Sequence, residues 1–221
     1  MLLPNSGFLS EASPKLIEVL ESMATEVRLD PGDVLFEKDD EGDALFAVIS
    51  GTLEASVLSH DGRKLVLDLM RPGALFGEIA LFDPGPRTAT IAAIEAARLR
   101  RLKNADLVRQ IEKSPDFAID MIRLAGQRMR WMNGQLGDHV FLPLPTRLAR
   151  KMLHLTTDGE TTSKSLTMSQ THLADFVGVT REAVSKVLGE WKRLGIVTAG
   201  RREIEIVDRA ALQRLADYDI F

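Results

Sequence analysis

The chain of 221 residues contains no cysteine. That absence excludes a disulfide, a thiolate metal site and a cysteine-held iron–sulfur cluster. Its four histidines, His60, His139, His154 and His172, are dispersed, and none falls at a metal-ligand spacing such as His-x3-His. No metal or haem is therefore expected. No apolar run reaches the ~18 residues that a membrane span needs. Residues 1–10 lack a basic leader and a cleavage signature, so the expected location is the cytoplasm, with no membrane partner. Enzyme signatures are missing too: there is no Gly-x-Ser-x-Gly, no Gly-x4-Gly-Lys loop and no carboxylate pair on a recognisable scaffold. These gaps argue against an enzyme.

What is present is an ordinary globular composition, 45% hydrophobic and 27% charged, long enough for two domains. The net charge of −4 is unevenly spread. Residues 140–221 hold 12 Lys and Arg against 10 Asp and Glu, whereas residues 1–139 hold 16 against 22. A mildly basic module joined to an acidic one is compatible with DNA binding through a local face.

From about Pro31 to Leu102 the pattern is β. The apolar runs Ala44–Ile49, Leu53–Leu58 and Lys64–Leu69 alternate with turn signals at Pro31-Gly32, Gly42, Gly51, Asp61-Gly62 and Pro72-Gly73. Short strands at that spacing predict a sandwich or jelly-roll barrel. Asn104 to Val140 reads as helix, with Ser114 as a cap and Pro115 at the first helical position. Ala118, Ile122, Ala125, Met129, Met132 and Leu136 recur at steps of four and three. Such a heptad row suits pairing with a second copy of the helix, and packing on the β region is the other reading. Pro143 and Pro145 then break the pattern. A helix is expected from Thr146 to about Leu155, a loop over Thr156–Lys164 and a short strand over Ser165–Met168.

Residues 169–194 carry the most specific signal. Ser169 caps a helix holding Leu173, Ala174 and Val177, Gly178 ends it, and Thr180 caps a second helix whose inner face is Val184, Val187 and Leu188. Ala174, Gly178 and Val184 fall at positions five, nine and fifteen of a helix-turn-helix. The first helix needs a small residue where the second crosses it, and the turn needs a left-handed residue. Arg181, Glu182, Ser185 and Lys186 are left on the outer face of the second helix. Arginine can grip guanine with two hydrogen bonds, and glutamate can accept from a cytosine amino group. Residues 195–207 then read as a two-stranded wing, with Arg201 and Arg202 as candidate phosphate contacts.

The second strong signal is Phe76-Gly77-Glu78-Ile79-Ala80-Leu81-Phe82, followed by Pro86-Arg87-Thr88-Ala89. A cyclic phosphodiester inside a barrel needs a cation that stays charged and matches two oxygens, which Arg87 offers. Thr88 adds a hydroxyl, Glu78 can accept from a ribose 2′-hydroxyl, and backbone N–H groups around Gly77, Ile79 and Ala80 complete the cradle. Arg128 is a further candidate, able to reach Glu78 or the phosphate.

In these motifs the chain resembles the cAMP receptor protein branch of the CRP/FNR superfamily, and the likeness runs along nearly its whole length. The likeness rests on Gly77–Leu81, Arg87-Thr88-Ala89 and Thr180-Arg181-Glu182-Ala183-Val184-Ser185-Lys186. It implies an α+β fold: an N-terminal double-stranded β-roll (jelly roll) sensor over residues 1–113, a dimerisation helix and hinge over 114–142, and a winged helix-turn-helix over 143–221. It implies a homodimer that binds double-stranded DNA at a palindromic, TGTGA-like site and works with RNA polymerase, with cAMP as effector. By the same resemblance Glu78 holds the ribose, and Arg87 with Thr88 holds the cyclic phosphate. Two departures stand out. Where the family's cAMP receptors place hydroxyl or amide groups against the adenine amino group, this chain has Met132 and Asn133; Asn133 can make that bond and Met132 cannot. Cyclic GMP and cyclic di-GMP therefore stay open as effectors. Lys186 stands where arginine is usual, and Ser185 is similar to the oxygen-sensing branch. A regulator that binds DNA without any ligand is the rival reading.

Overall fold

The computed structural model describes residues 14–158, 161–200 and 203–217. The chain divides into two compact units, one of residues 1–57 with 67–131 and one of residues 58–66 with 132–221.

The first unit opens with helix α1 (Pro14–Met23) and strands β1 (Thr25–Leu29), β2 (Val34–Phe36), β3 (Ala44–Ser50), β4 (Leu53–Leu58), β5 (Lys64–Met70) and β6 (Leu75–Phe76). A single helical turn, α2 (Ile79–Phe82), precedes β7 (Thr90–Ala93) and β8 (Ala97–Lys103), and helix α3 (Asn104–Lys113) follows. The strands form two four-stranded antiparallel sheets in the orders β1-β8-β3-β6 and β2-β7-β4-β5, the jelly-roll expected from the strand spacing. Strand β3 shows why its run reads as unbroken apolar sequence. Ala44, Phe46 and Val48 join the core shared with Leu53, Met70, Phe76, Ile91 and Leu99. Its alternate residues Leu45 and Ala47 enter a second core with Leu16 and Leu20 of α1, Leu102, Leu107, Phe117 and Met121. A strand covered on both faces has no polar face to display.

Helix α4 (Pro115–Phe141) runs out of this unit. As the Ser114 cap and Pro115 led one to expect, the helical stretch over 104–140 divides at Ser114, which ends α3 and starts α4. Its N–H donates to Gln110 O at 3.1 Å, and its Oγ accepts from the Phe117 N–H at 3.3 Å. The buried face of α4 is Phe117, Met121 and Leu124. The heptad row lies one residue along, about 100° round the helix: its alanines Ala118 and Ala125 are half-buried, while Ile122, Met129 and Leu136 are 67%, 65% and 63% exposed.

The second unit comprises α5 (Leu144–Leu155), the small hairpin β9 (Thr157–Asp158) and β10 (Thr161–Thr162), β11 (Ser165–Leu166), α6 (Gln170–Val177), α7 (Arg181–Arg193), β12 (Val197–Ala199), β13 (Ile204–Ile206) and α8 (Arg209–Ala216). Strands β11, β13 and β12 form a three-stranded antiparallel sheet, in which the short strand expected over Ser165–Met168 pairs with the two-stranded wing. Other boundaries shift for identifiable reasons. The β region begins at Thr25 rather than Pro31. The loop over 156–164 contains the β9–β10 hairpin. Helix α5 starts at Leu144, because Pro145 sits in a first turn whose N–H has no intrahelical acceptor anyway.

Candidate functional site

The helix-turn-helix is built from local capping. Ser169 Oγ accepts from the His172 N–H at 3.1 Å and starts α6; Thr180 Oγ1 accepts from the Ala183 N–H at 3.3 Å and starts α7. Between them Gly178 lies at φ 66°, and a Cβ there would meet His139 Cε1 at 2.9 Å. Backbone conformation and close approach both call for glycine. Ala174 is buried where the helices cross, and Val184, Val187, Leu188 and Trp191 bury the inner face of α7. Arg181, Glu182, Ser185 and Lys186 are all exposed on the opposite side. The sequence thus places four hydrogen-bonding side chains on one rigid, solvent-facing helix, as groove reading requires. Arg201 and Arg202 lie outside the described residues.

The roll carries a different kind of site. Arg87 is anchored through its backbone, donating its N–H to Asp40 O at 2.8 Å and accepting from the Asp39 N–H at 2.9 Å. Its side chain turns inward and is only 4% exposed. The guanidinium lies 4.2 Å over the Phe36 ring and faces the Asp43 carboxylate at 3.8 Å, too far for a hydrogen bond. Nε and Nη1 are buried with no hydrogen-bond partner. Burial pushes its pKa down from the ordinary arginine value, and the Asp43 carboxylate acts against that shift. An arginine remains cationic under such a shift. Two buried donors of a buried cation are therefore without an acceptor, which is costly unless an anion supplies one.

Gly77 makes room for that cation. At φ 87° it has a backbone that side chains rarely adopt, and a Cβ would come within 2.8 Å of Arg87 Nη1 and 2.9 Å of Ala44 O. Glu78 follows at the entrance to α2, its carboxylate 3.5 Å from Arg128 Nε. Arg128 in turn lies 3.4 Å from Asp68 and 4.4 Å from the Trp131 ring centre. Of the residues singled out by sequence, Gly77, Glu78, Arg87 and Arg128 converge here. Ala80 is buried beneath them, while Ile79 and Thr88 face solvent and Asn133 stands on the exposed side of α4.

Asp43, Asp68 and Trp131 were not foreseen. For Asp68 a signal existed: it occupies the middle of the buried row Val66, Asp68, Met70, where strand alternation demands an apolar residue. A charged residue in that row has to meet another charge. Asp43 gave no comparable signal, because its role depends on which loop faces Arg87; Trp131 is an i,i+3 neighbour of Arg128 on α4, a spacing that the sequence displays.

Residues 26–114 match the family model described as a cyclic nucleotide-binding domain, and residues 146–215 match a Crp-like helix-turn-helix domain. The cyclic AMP receptor protein of Thermus thermophilus is 32% identical over 185 residues, which cover 84% of this chain and 85% of that protein. The chain belongs to the CRP/FNR family. A CRP-like cAMP-activated global transcriptional regulator of Mycobacterium tuberculosis is 29% identical over 220 residues, covering 97% of this chain and 98% of that one. The crystal structure of a CRP/FNR-family transcriptional regulator from Thermus thermophilus superimposes with a TM-score of 0.76 at 27% identity, covering 88% of this chain and 99% of the other. This CRP-like protein is a cyclic-nucleotide-binding, DNA-binding transcription regulator, and the relatives it matches are regulators, not enzymes.

Proposed function

We propose that this CRP/FNR protein is a cytoplasmic homodimer switched by cAMP, in which Arg87 holds the cyclic phosphate. The observation that carries the reading is the buried guanidinium with two unsatisfied donors, beside a glycine that no other residue could replace without a clash. A cyclic phosphodiester supplies one negative charge and two acceptor oxygens, which is what those donors lack. Glu78 accepts from the ribose 2′-hydroxyl, Thr88 and the Gly77–Ala80 backbone complete the cradle, and Arg128 holds the Glu78 carboxylate in place. Asn133 is the group available to the base. The choice of cAMP is supported by the names of the relatives from Thermus thermophilus and Mycobacterium tuberculosis.

In this reading residues 1–113 sense the nucleotide, 114–142 dimerise and 143–221 read DNA. Dimerisation is supported by the exposed heptad row on α4, whose Ile122, Met129, Met132 and Leu136 need a cover. A two-fold dimer offers two recognition helices to successive major grooves about 34 Å apart, and so selects a palindrome. Arg181 and Glu182 suit a TGTGA-like half-site, with Lys186 reading one position less rigidly than arginine would. RNA polymerase is the partner expected of a transcription regulator so placed. The effector shifts a pre-existing equilibrium between two helix arrangements.

Calorimetric titration with cAMP, cyclic GMP and cyclic di-GMP tests the assignment. cAMP should bind with micromolar affinity to the wild type and not to Arg87→Ala. Binding of one of the other two instead would change the effector and keep the clamp. Binding by none, with DNA still bound, would establish a ligand-independent regulator.

A further inference from the structure

Helices α4 and α5 are joined by Leu142 and Pro143 alone. Pro143 has no N–H to donate, and the backbone bonds that approach the joint, Leu142 N–H to Asp138 O and Arg147 N–H to Pro143 O, stay within each helix's own end. Side chains must then fix how α5 and the helices behind it sit on the last turn of α4.

Two arginines one turn apart on α5 do this in the same manner. Arg147 Nη1 lies 2.9 Å from His139 Nδ1 and donates to Val177 O at 3.1 Å. Arg150 Nη1 donates to the Asp138 carboxylate at 2.8 Å, and its Nε donates to Ala216 O at 2.8 Å. Asp138 and His139 belong to the last turn of α4, Val177 is the last residue of α6, and Ala216 is the last residue of α8. The last carbonyls of a helix lack partners within it and favour a cation. Each arginine therefore satisfies the end of one helix of the DNA-binding module while gripping the end of α4. The His139 ring also rests against Gly178, in the turn between α6 and α7. Arg147 makes its bridge although burial pushes its pKa down and leaves its Nε without a partner.

We propose that Arg147 and Arg150 are positioning residues that transmit the state of α4 to the DNA-reading helices. The inference rests on the reading that a nucleotide raises DNA affinity. Lysine keeps the charge but offers a single donor centre, so it cannot span both partners as the planar fork does. Arg147→Lys and Arg150→Lys are thus the informative variants.

The experiment measures affinity of the full-length protein for a duplex bearing a TGTGA-like palindrome, by fluorescence anisotropy with and without saturating cAMP. The wild type should gain affinity by a factor within the usual allosteric range of about 5–150. In each lysine variant, and most in the double variant, that gain should fall toward one, while calorimetric cAMP affinity without DNA and the melting temperature stay near wild type. A gain equal to that of the wild type would overturn the inference. No gain in the wild type would instead sink the effector reading, and hydrogen exchange then decides the inference alone. His139→Ala should speed amide exchange at Val177–Thr180, and Asp138→Asn should do so at Gln213–Asp217. Unchanged exchange at those amides would overturn it.

Discussion

The roll site and the reading helix use charge in opposite ways. In the roll, Arg87 is buried beside Asp43, and Arg128 is half-buried between Glu78 and Asp68. On α7, Arg181, Glu182 and Lys186 stand in water above a wholly apolar inner face. A buried charge has few ways to be satisfied, so the shape and the sign of its partner are both prescribed. An exposed charge is hydrated until it meets something, and costs the free protein nothing to keep. The first arrangement suits recognition of one small anion, and the second suits a groove whose base edges differ from site to site.

The largest test of this contrast is Arg87→Met. Truncating one partner of a buried charged contact typically costs about 2–5 kcal/mol, so nucleotide affinity should fall by roughly 30-fold or more. Because the apolar replacement removes an incompletely bonded buried cation, the melting temperature without nucleotide should hold or rise. A steep drop in melting temperature would make Arg87 a structural residue and remove the contrast.

Next comes a comparison of two glycines in the DNA-binding unit. Gly178 (φ 66°) and Gly195 (φ 72°) share a left-handed backbone, but a Cβ at Gly195 meets open space. Gly195→Ala should cost about 1–2 kcal/mol by denaturant unfolding, and Gly178→Ala about 3, since the added methyl also meets His139. Equal losses would show that the imidazole gives way freely.

Arg181→Ala, on the exposed side, should leave stability unchanged and cost about 1–3 kcal/mol of DNA binding, with relaxed choice at a single base position. A uniform loss over all sequences would make it a phosphate contact instead. The smallest effect belongs to Thr180→Ala, which removes the cap on α7 and should lower stability by about 1 kcal/mol. DNA specificity should survive it, because the reading face keeps its residues.

Legibility followed the range of the interactions. The helix-turn-helix could be read residue by residue because its determinants are local: two hydroxyl caps, one left-handed glycine and a small residue at the crossing. The roll was legible as strands and turns, yet α2 was not, since one turn of helix has no periodicity to detect. Helices α1 and α8 were not foreseen either. In the roll site, Gly77, Glu78 and Arg87 carried a spacing that pointed to their chemistry. Asp43 did not, and the Arg147 and Arg150 bridges left no mark in the pattern. Arg87 and Asp43 stand far apart in the chain, and so do Arg147 and Val177 or Arg150 and Ala216, while the nearer pairs could equally have been a surface salt bridge or a solvated helix face.

The amino-acid sequence by itself determined where the strands turn, where the helices are capped, and which residues of α7 lie on its exposed face, because those follow from φ preference, capping and side-chain period. The tertiary structure alone decided that Ile122 and Met129 of α4 stay exposed, that Arg87 keeps two nitrogens unbonded, and that Asp68 pairs with Arg128. Those outcomes depend on which surfaces are brought together. Charge burial and shape complementarity are properties of such a meeting, and no short stretch of sequence holds both of its sides.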